Sequence, residues 1–515
     1  MARDPHGALI ALNRFGFGAR GGASGDFEAA ASDPRGFVTA ELAKPNIALM
    51  QSPGLMPTPQ LAQLMYAYRK EVQLQRASQK AMPEAAPSAP AATPPSRSLS
   101  MSPPAAVSQM DGTNGATTAA DAMSATPAAP QAQPPRQPAQ PPQPLNIIQK
   151  TYRAEALARL QRATMAEVGF VERLVAFWSN HFCISATKGE AARIWAGSFE
   201  REAIRPHVLG RFADMLRAVE QHPAMLFFLD NQQSLGPNSP AGINRNKGLN
   251  ENLAREIMEL HTLGVGGGYT QADVTSLARI ITGWTFAGPQ GRLGPPGSFI
   301  FFANAHEPGA QLLLGKSYDA DGVAQGERAL DDLARQPSTA TFIATKLVRH
   351  FIADDPPPAL VAQLADTFRK TDGDLKAVTM ALLGSDMAWR TPLTKIRAPY
   401  EFLVASARMM ASVPADPNRF LAGLNLLGQP LWSPAGPNGF ADSNAVWASP
   451  EGMKLRLDIA AQVAARTGDM VEPLDLLAVV AGDAVDAETR ATIERAESRK
   501  QAVALLLMSP EFQRR

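Results

Sequence analysis

Apolar residues recur at helical spacing over most of the chain, in blocks separated by Gly-, Pro- and Asn-rich breaks. Residues 6–15 set Leu9, Leu12 and Phe15 on one face before glycines at 16, 18, 21 and 22 interrupt the pattern. Residues 27–44 and 59–78 read as helices, the second with Leu61, Leu64 and Met65 inward. A long helix from 145 to about 161 leads into VGFVERLVAFWSNHFCIS, where Val168, Val171, Leu174, Val175 and Trp178 form an inner face that Asn180 and His181 close. Helices are predicted again at 189–203, 205–221 and 222–230, then at 322–335, 338–351, 358–370, 373–384, 397–412, 416–427, 450–466, 472–480, 486–493 and 497–508. The fold class that follows is mainly α: a multi-helix orthogonal bundle with one small β-hairpin and long loops. The hairpin is expected in FIFFANAHEPGAQLLLG, with His306 and Glu307 in its turn. The long loops are 231–249 and 428–449, and the second holds Trp432, Phe440 and Trp447, aromatic residues that either plug a core or line a ligand site.

The densest polar chemistry lies between Asn250 and Trp284, NENLAREIMELHTLGVGGGYTQADVTSLARIITGW. Asn250 is a good N-cap for a first helix whose stripe is Leu253, Ile257 and Leu260, and Gly264 stops it. Thr270 and Asp273 form a capping-box-like pair opening a second helix, in which Val274, Leu277, Ala278, Ile281 and Trp284 recur. At about 100° per residue, Asn252, Glu256 and Glu259 project within about 60° of one another. His261 falls about 140° from Glu256 on the same wheel, so an imidazole for this acidic edge must come from another element, the nearest being His181. The plainer account is a solvated ion-pair ladder of Glu251, Arg255 and Glu259, spaced four apart.

Composition narrows the picture at three points. From Met82 to Gln143 there is no aromatic residue, and 15 of the 43 prolines fall between Pro83 and Pro144, so this stretch cannot build a core and reads as a disordered insertion or linker. The chain then divides into a helical part of the main domain at 1–80, a Pro/Ala/Ser/Gln-rich segment at 81–145 and the rest of the main domain at 146–515. Lys and Arg total 49 against 48 Asp and Glu, so no global field draws the protein to nucleic acid. The single cysteine, Cys183, excludes a disulfide framework and a multi-thiolate metal site, and is expected as a buried thiol. No run of 18 apolar residues is present, and the N-terminus lacks a basic segment followed by an apolar one; the expectation is no membrane span and a cytoplasmic location. Gly16, Gly18 and Gly21 spell GxGxxG, but a helix rather than a strand precedes them, which argues against a dinucleotide site.

Five motifs taken together, LNRFGFGA, FWSNHF, NENLAREIMELHTLGV with YTQADVTSLARIITGW, and LGQPLWSPAGPNGF, resemble the bacterial family known as domain of unknown function 1800. The likeness runs from about Leu12 to the SPEFQ segment near the end, apart from the Pro-rich stretch. It implies a partner that resembles phosphatases and sulfatases, because genes of this family often neighbour those of such a protein. It also implies export, which for this chain would require a signal-bearing partner. The residues matching the family pattern that could do chemistry are Trp178, Asn180, His181, Asn250, Glu251, Asn252, Arg255, Glu256, Glu259, His261 and Asp273.

Two functional readings follow. The first is a helical scaffold or accessory protein, acting with the phosphatase- or sulfatase-like partner, whose polar motifs fix helix ends and whose loops bind. The second is a metal-dependent hydrolase of a polar or glycan-like substrate, in which His181, Glu256 and Glu259 hold a divalent metal or activate water and His306 is the alternative imidazole. Binding would then fall to Trp178, Asn180, Asn250, Asn252, Arg255, His261, Asp273, Trp432 and Trp447. No HExxH, GxSxG or P-loop is present to support catalysis.

Overall fold

The structure, a computed structural model, describes residues 3–81, 144–245, 248–467 and 470–515. The Pro-rich insertion expected at 81–145 lies almost wholly outside the described residues. Two compact units are distinguished, Met1–Glu71 with Leu145–Arg515, and Val72–Pro144. Of the second, the described part is essentially the end of the helix Thr58–Ala81.

The first unit is mainly α. Its helices start where the sequence supplies a cap: Asp4 and Asp33 each accept a backbone N–H ahead of a proline at the first helical position, and Asn146 and Thr270 form complete capping boxes with Gln149 and Asp273. The expected inner face of the helix Phe170–His181 is buried, with Val171, Leu174, Val175 and Trp178 each 1% exposed. Its core joins Phe15, Phe170, Phe351 and Trp389 in edge and stacked ring contacts. A second apolar cluster gathers the last helices, around Leu477, Val503, Leu506 and Phe512.

Three expectations need correction. The β structure is not one hairpin: Phe299–Phe301 pairs antiparallel with Trp284–Phe286, while Gln311–Leu313 pairs with Lys316–Tyr318, giving two small sheets among the described residues. Trp284 therefore begins a strand, and the helix Gln271–Ile280 ends before it. The first helix of the polar stretch opens one residue late, at Asn252–Glu256. Asn250 still contributes there, since its Oδ1 accepts the Asn252 N–H at 3.0 Å, but in a turn before the helix rather than as its cap.

That helix also changes its winding. Ile257–His261 is a π-helical turn, as are Ala11–Phe15 and Glu200–Ile204. In such a turn bonds run i to i+5, so residues five apart come onto one face. Glu256 and His261 are five apart, and the imidazole lowers the carboxyl's affinity for a proton even though burial, the larger effect, raises it. The α-helical wheel that separates the two does not hold here.

Candidate functional site

The polar residues of the Asn250–Trp284 stretch mostly fasten elements together. Glu251 takes hydrogen bonds from Gln271 (2.7 Å) and Thr275 (2.7 Å) on the next helix and an ion pair from Arg255 (3.1 Å), so the ladder's first rung forms. Asp273 accepts the Leu314 backbone N–H at 2.7 Å, tying its helix to the second small sheet. Asn250 donates to the Asp230 carbonyl. His261 is fully buried and its Nδ1–H donates to Glu220 at 2.8 Å. His306 donates from Nδ1 to the Thr282 carbonyl, and Glu307 takes two bonds from Asn238, anchoring the 231–249 loop.

The proposed metal trio is not assembled. His181 donates from Nε2 to the His261 carbonyl (3.1 Å), and its Nδ1 lone pair accepts from the Lys346 ammonium (2.9 Å), so neither ring nitrogen is left for a metal. Burial first, then the Lys346 charge, keeps this imidazole neutral, with its pKa far below the usual range. Among the described residues no group of three His, Cys, Asp or Glu is arranged to hold a metal ion.

A cavity of about 250 Å3 lies elsewhere, between the C-terminal ends of the helices Phe170–His181 and Pro337–Phe351, the start of the helix Pro399–Met409, and the loop 429–442. Of the residues singled out by sequence, Asn180, His181, Cys183, Trp432 and Phe440 line it. Trp178 lies in the core instead, and Trp447 lines a second pocket, shared between residues 435–441 of the same loop and the segment 446–456. Glu256, Glu259, Asn250, Asn252, Arg255, His261 and Asp273 do not line the cavity.

The loop's irregular backbone is held by a seam that joins two of the family-like motifs. As the chain descends from Ala186 to Asn180 the loop ascends beside it. Ala186 N–H donates to Trp432 O (2.7 Å), Ser185 Oγ to Pro434 O (2.9 Å), and the Cys183 thiol to Pro437 O (3.2 Å). Asn180 closes the seam by donating to Phe440 O (2.9 Å) and accepting the Phe440 N–H (2.8 Å). Gly439 has φ +73°, and a Cβ there would stand 2.5 Å from Asn180 O, so glycine is required where the loop passes the helix end. Cys183 is the buried thiol expected, its pKa pushed up to about 12 by burial, which makes it unreactive as a nucleophile.

Trp432 takes a left-handed backbone, φ +46°, unusual for a bulky residue and a form of strain that collects at functional sites. Its indole donates to Glu200 (3.2 Å), and the Arg159 guanidinium lies over both its ring (5.5 Å) and that of Tyr400 (4.7 Å). Behind this wall is a buried charge network. Glu401 is paired by Arg173 (3.2 Å) and Arg515 (2.6 Å). Burial alone would raise its pKa, but these two guanidiniums hold it down to about 2. Asp442 receives the Nδ1–H of His350 (2.7 Å), Arg515 (3.2 Å) and Lys395 (3.1 Å), and is held far below the ordinary carboxylate range against burial. His350 stays neutral, because burial lowers its pKa to about 4 despite Asp442, and its Nε2 accepts from Arg173.

Residues 10–514 match the family described as Protein of unknown function (DUF1800). The chain belongs to this family. No match was found to a curated protein or to a solved structure. The DUF1800 match spans every segment that builds the cavity except the final residue, Arg515.

Sequence reasoning missed Lys346, Arg349 and His350, which line the cavity from one helix. Their signal is the polar trio in FIATKLVRHF, where positions 346, 349 and 350 share a face of the helix's C-terminal half. Lys346 is bonded only to His181 among the hydrogen-bonding groups of the described residues, and its charge lies 5.4 Å from the Phe342 ring centroid. Burial lowers its pKa to about 8, with Cys183 and Asp442 opposing. Arg349, on the solvent side, donates to the Asp354 carbonyl at 3.4 Å. Among the described residues no carboxylate lies within 4.0 Å of either cation.

Proposed function

We propose that the protein is a helical accessory protein that binds a small anionic molecule in the 429–442 cavity. The observation that carries this reading is the pair Lys346 and Arg349, cavity-lining cations without a carboxylate partner, whereas the other lining guanidiniums, Arg159 and Arg515, are neutralised by Glu200 and by Glu401 with Asp442. Residues three apart on a helix have Cβ atoms about 5–6 Å apart, a spacing suited to two oxygens of one carboxylate, phosphate or sulfate group. Tyr400, Trp432 and Phe440 offer flat apolar surface for the remainder of the ligand. The volume of about 250 Å3 suits a small molecule rather than a polymer segment.

An accessory role beside a phosphatase- or sulfatase-like partner fits this chemistry, because such a partner releases oxyanions and handles their esters. A metal-dependent hydrolase centred on Glu256 and Glu259 is less well supported, since both lie off the cavity and His181 is engaged on both nitrogens. Calorimetric titration with phosphate, sulfate and small carboxylates tests the proposal. Saturable binding of at least one of them, weakened about tenfold or more in Lys346→Met and in Arg349→Ala, is expected. Heat traces that match dilution for every anion would end this reading.

A further inference from the structure

Lys346 differs from the other cavity-lining cations in one chemical respect: it is a primary amine, and a guanidinium is not a comparable nucleophile. Its ammonium is not tied by an ion pair. It is held by a single imidazole acceptor, His181 Nδ1 at 2.9 Å, and packed against Phe342. His181 in turn is fixed by the His261 carbonyl, and His261 by Glu220, so the side chain that aims the amine is locked in one tautomer from two sides. A lysine in such a place is the arrangement that favours addition to carbonyl groups, since desolvation with no carboxylate ion-paired to it favours the neutral amine, whose lone pair is the nucleophile.

We propose that Lys346 condenses with a small carbonyl compound that also carries an oxyanion group, the oxyanion resting on Arg349; this deepens the anion-binding reading above and rests on it. The amine nitrogen adds to the carbonyl carbon, and the carbonyl oxygen leaves as water with the two protons the nitrogen gives up, so a C=N bond replaces the C=O bond and no oxidant or reductant is consumed. His181 acts as a positioning residue, holding Nζ toward the cavity while the adduct forms. The lowered proton affinity of the amine is in keeping with this chemistry.

The experiment uses the full chain with pyruvate and, separately, dihydroxyacetone phosphate, each followed by cyanoborohydride and peptide mass mapping. The two probes separate a carboxylate from a phosphate preference. A stable adduct confined to the Lys346 peptide, absent in Lys346→Arg, and suppressed when lactate or sulfate is present in excess, is the expected result. His181→Asn should slow trapping by about tenfold or more even at saturating probe, a loss of rate in the bound state that weaker binding alone would not produce. Reduction that leaves Lys346 unmodified, or that labels exposed lysines such as Lys188 and Lys454 equally, overturns the imine. Calorimetric binding of lactate, sulfate or phosphate, which carry no carbonyl, reports on the anion site by itself. Binding without trapping refutes this inference alone, and no binding in either format refutes both.

Discussion

The acidic edge of the Asn250–Trp284 stretch and the cavity behind the 429–442 loop are opposites in how they use charge. Along the stretch, carboxylates and amides near the surface link neighbouring elements, several through partners close in sequence: Glu251 with Arg255 and Gln271, Thr270 with Asp273. Around the cavity most of the charges are buried and meet from distant segments, and two cations have no carboxylate partner among the described residues. A motif crowded with polar residues can thus be a fastening, while a binding site emerges where far-apart segments converge and the charges do not cancel.

The same chemical change tests both sides of this contrast. Glu401→Gln leaves Arg173 and Arg515 buried beside a neutral group, and should cost about 3–5 kcal/mol in urea unfolding. A cost under about 1 kcal/mol would mean that Asp442 alone balances those guanidiniums, and the contrast would weaken. Acid sensitivity is expected next in size. His350 has a folded pKa of about 4 against 6.5 for the free side chain, so below the latter the unfolded chain binds the proton more readily. Its contribution, up to roughly 3 kcal/mol, is complete above about pH 6.5 and disappears as pH falls to about 4. His181 acts in the same direction, so the diagnostic quantity is the difference from His350→Asn, whose stability should fall less steeply over that window. Parallel curves for the two proteins would show that His350 is not held neutral. The smallest effect belongs to Glu256→Gln. As a half-buried carboxylate off the cavity it should change stability by under about 1 kcal/mol and leave anion binding intact. Loss of binding in this variant would return the acidic edge to the site.

Much of the fold was legible because local rules governed it. Caps at Thr270 and the period of the helices from 322 onward appear where pattern and capping chemistry place them. The break at Trp284 was not legible: its spacing continues the helical stripe, and only pairing with Phe301 reveals the strand. The same holds for the π-helical turn at Ile257–His261, which shifts the register of the wheel without any glycine or proline to mark it. Part of the site could be read, since Asn180, His181, Trp432 and Phe440 stand in motifs that combine polar and aromatic residues. Lys346 and Arg349 look in sequence like the basic end of an ordinary amphipathic helix, and only the absence of nearby carboxylates, a tertiary fact, distinguishes them.

The seam between 180–186 and 432–440 carries a consequence for how the molecule comes into being. Its bonds join residues 246 to 260 positions apart. Closing a loop that long adds little to the equilibrium cost, which grows only with the logarithm of its length, but long-range contacts slow the search. The helices on either side can form from local contacts before Asn180 finds Phe440, so the cavity is expected to close only after distant parts of the chain have met. A chain halted short of that step would have its locally formed helices, yet no enclosed place for a ligand.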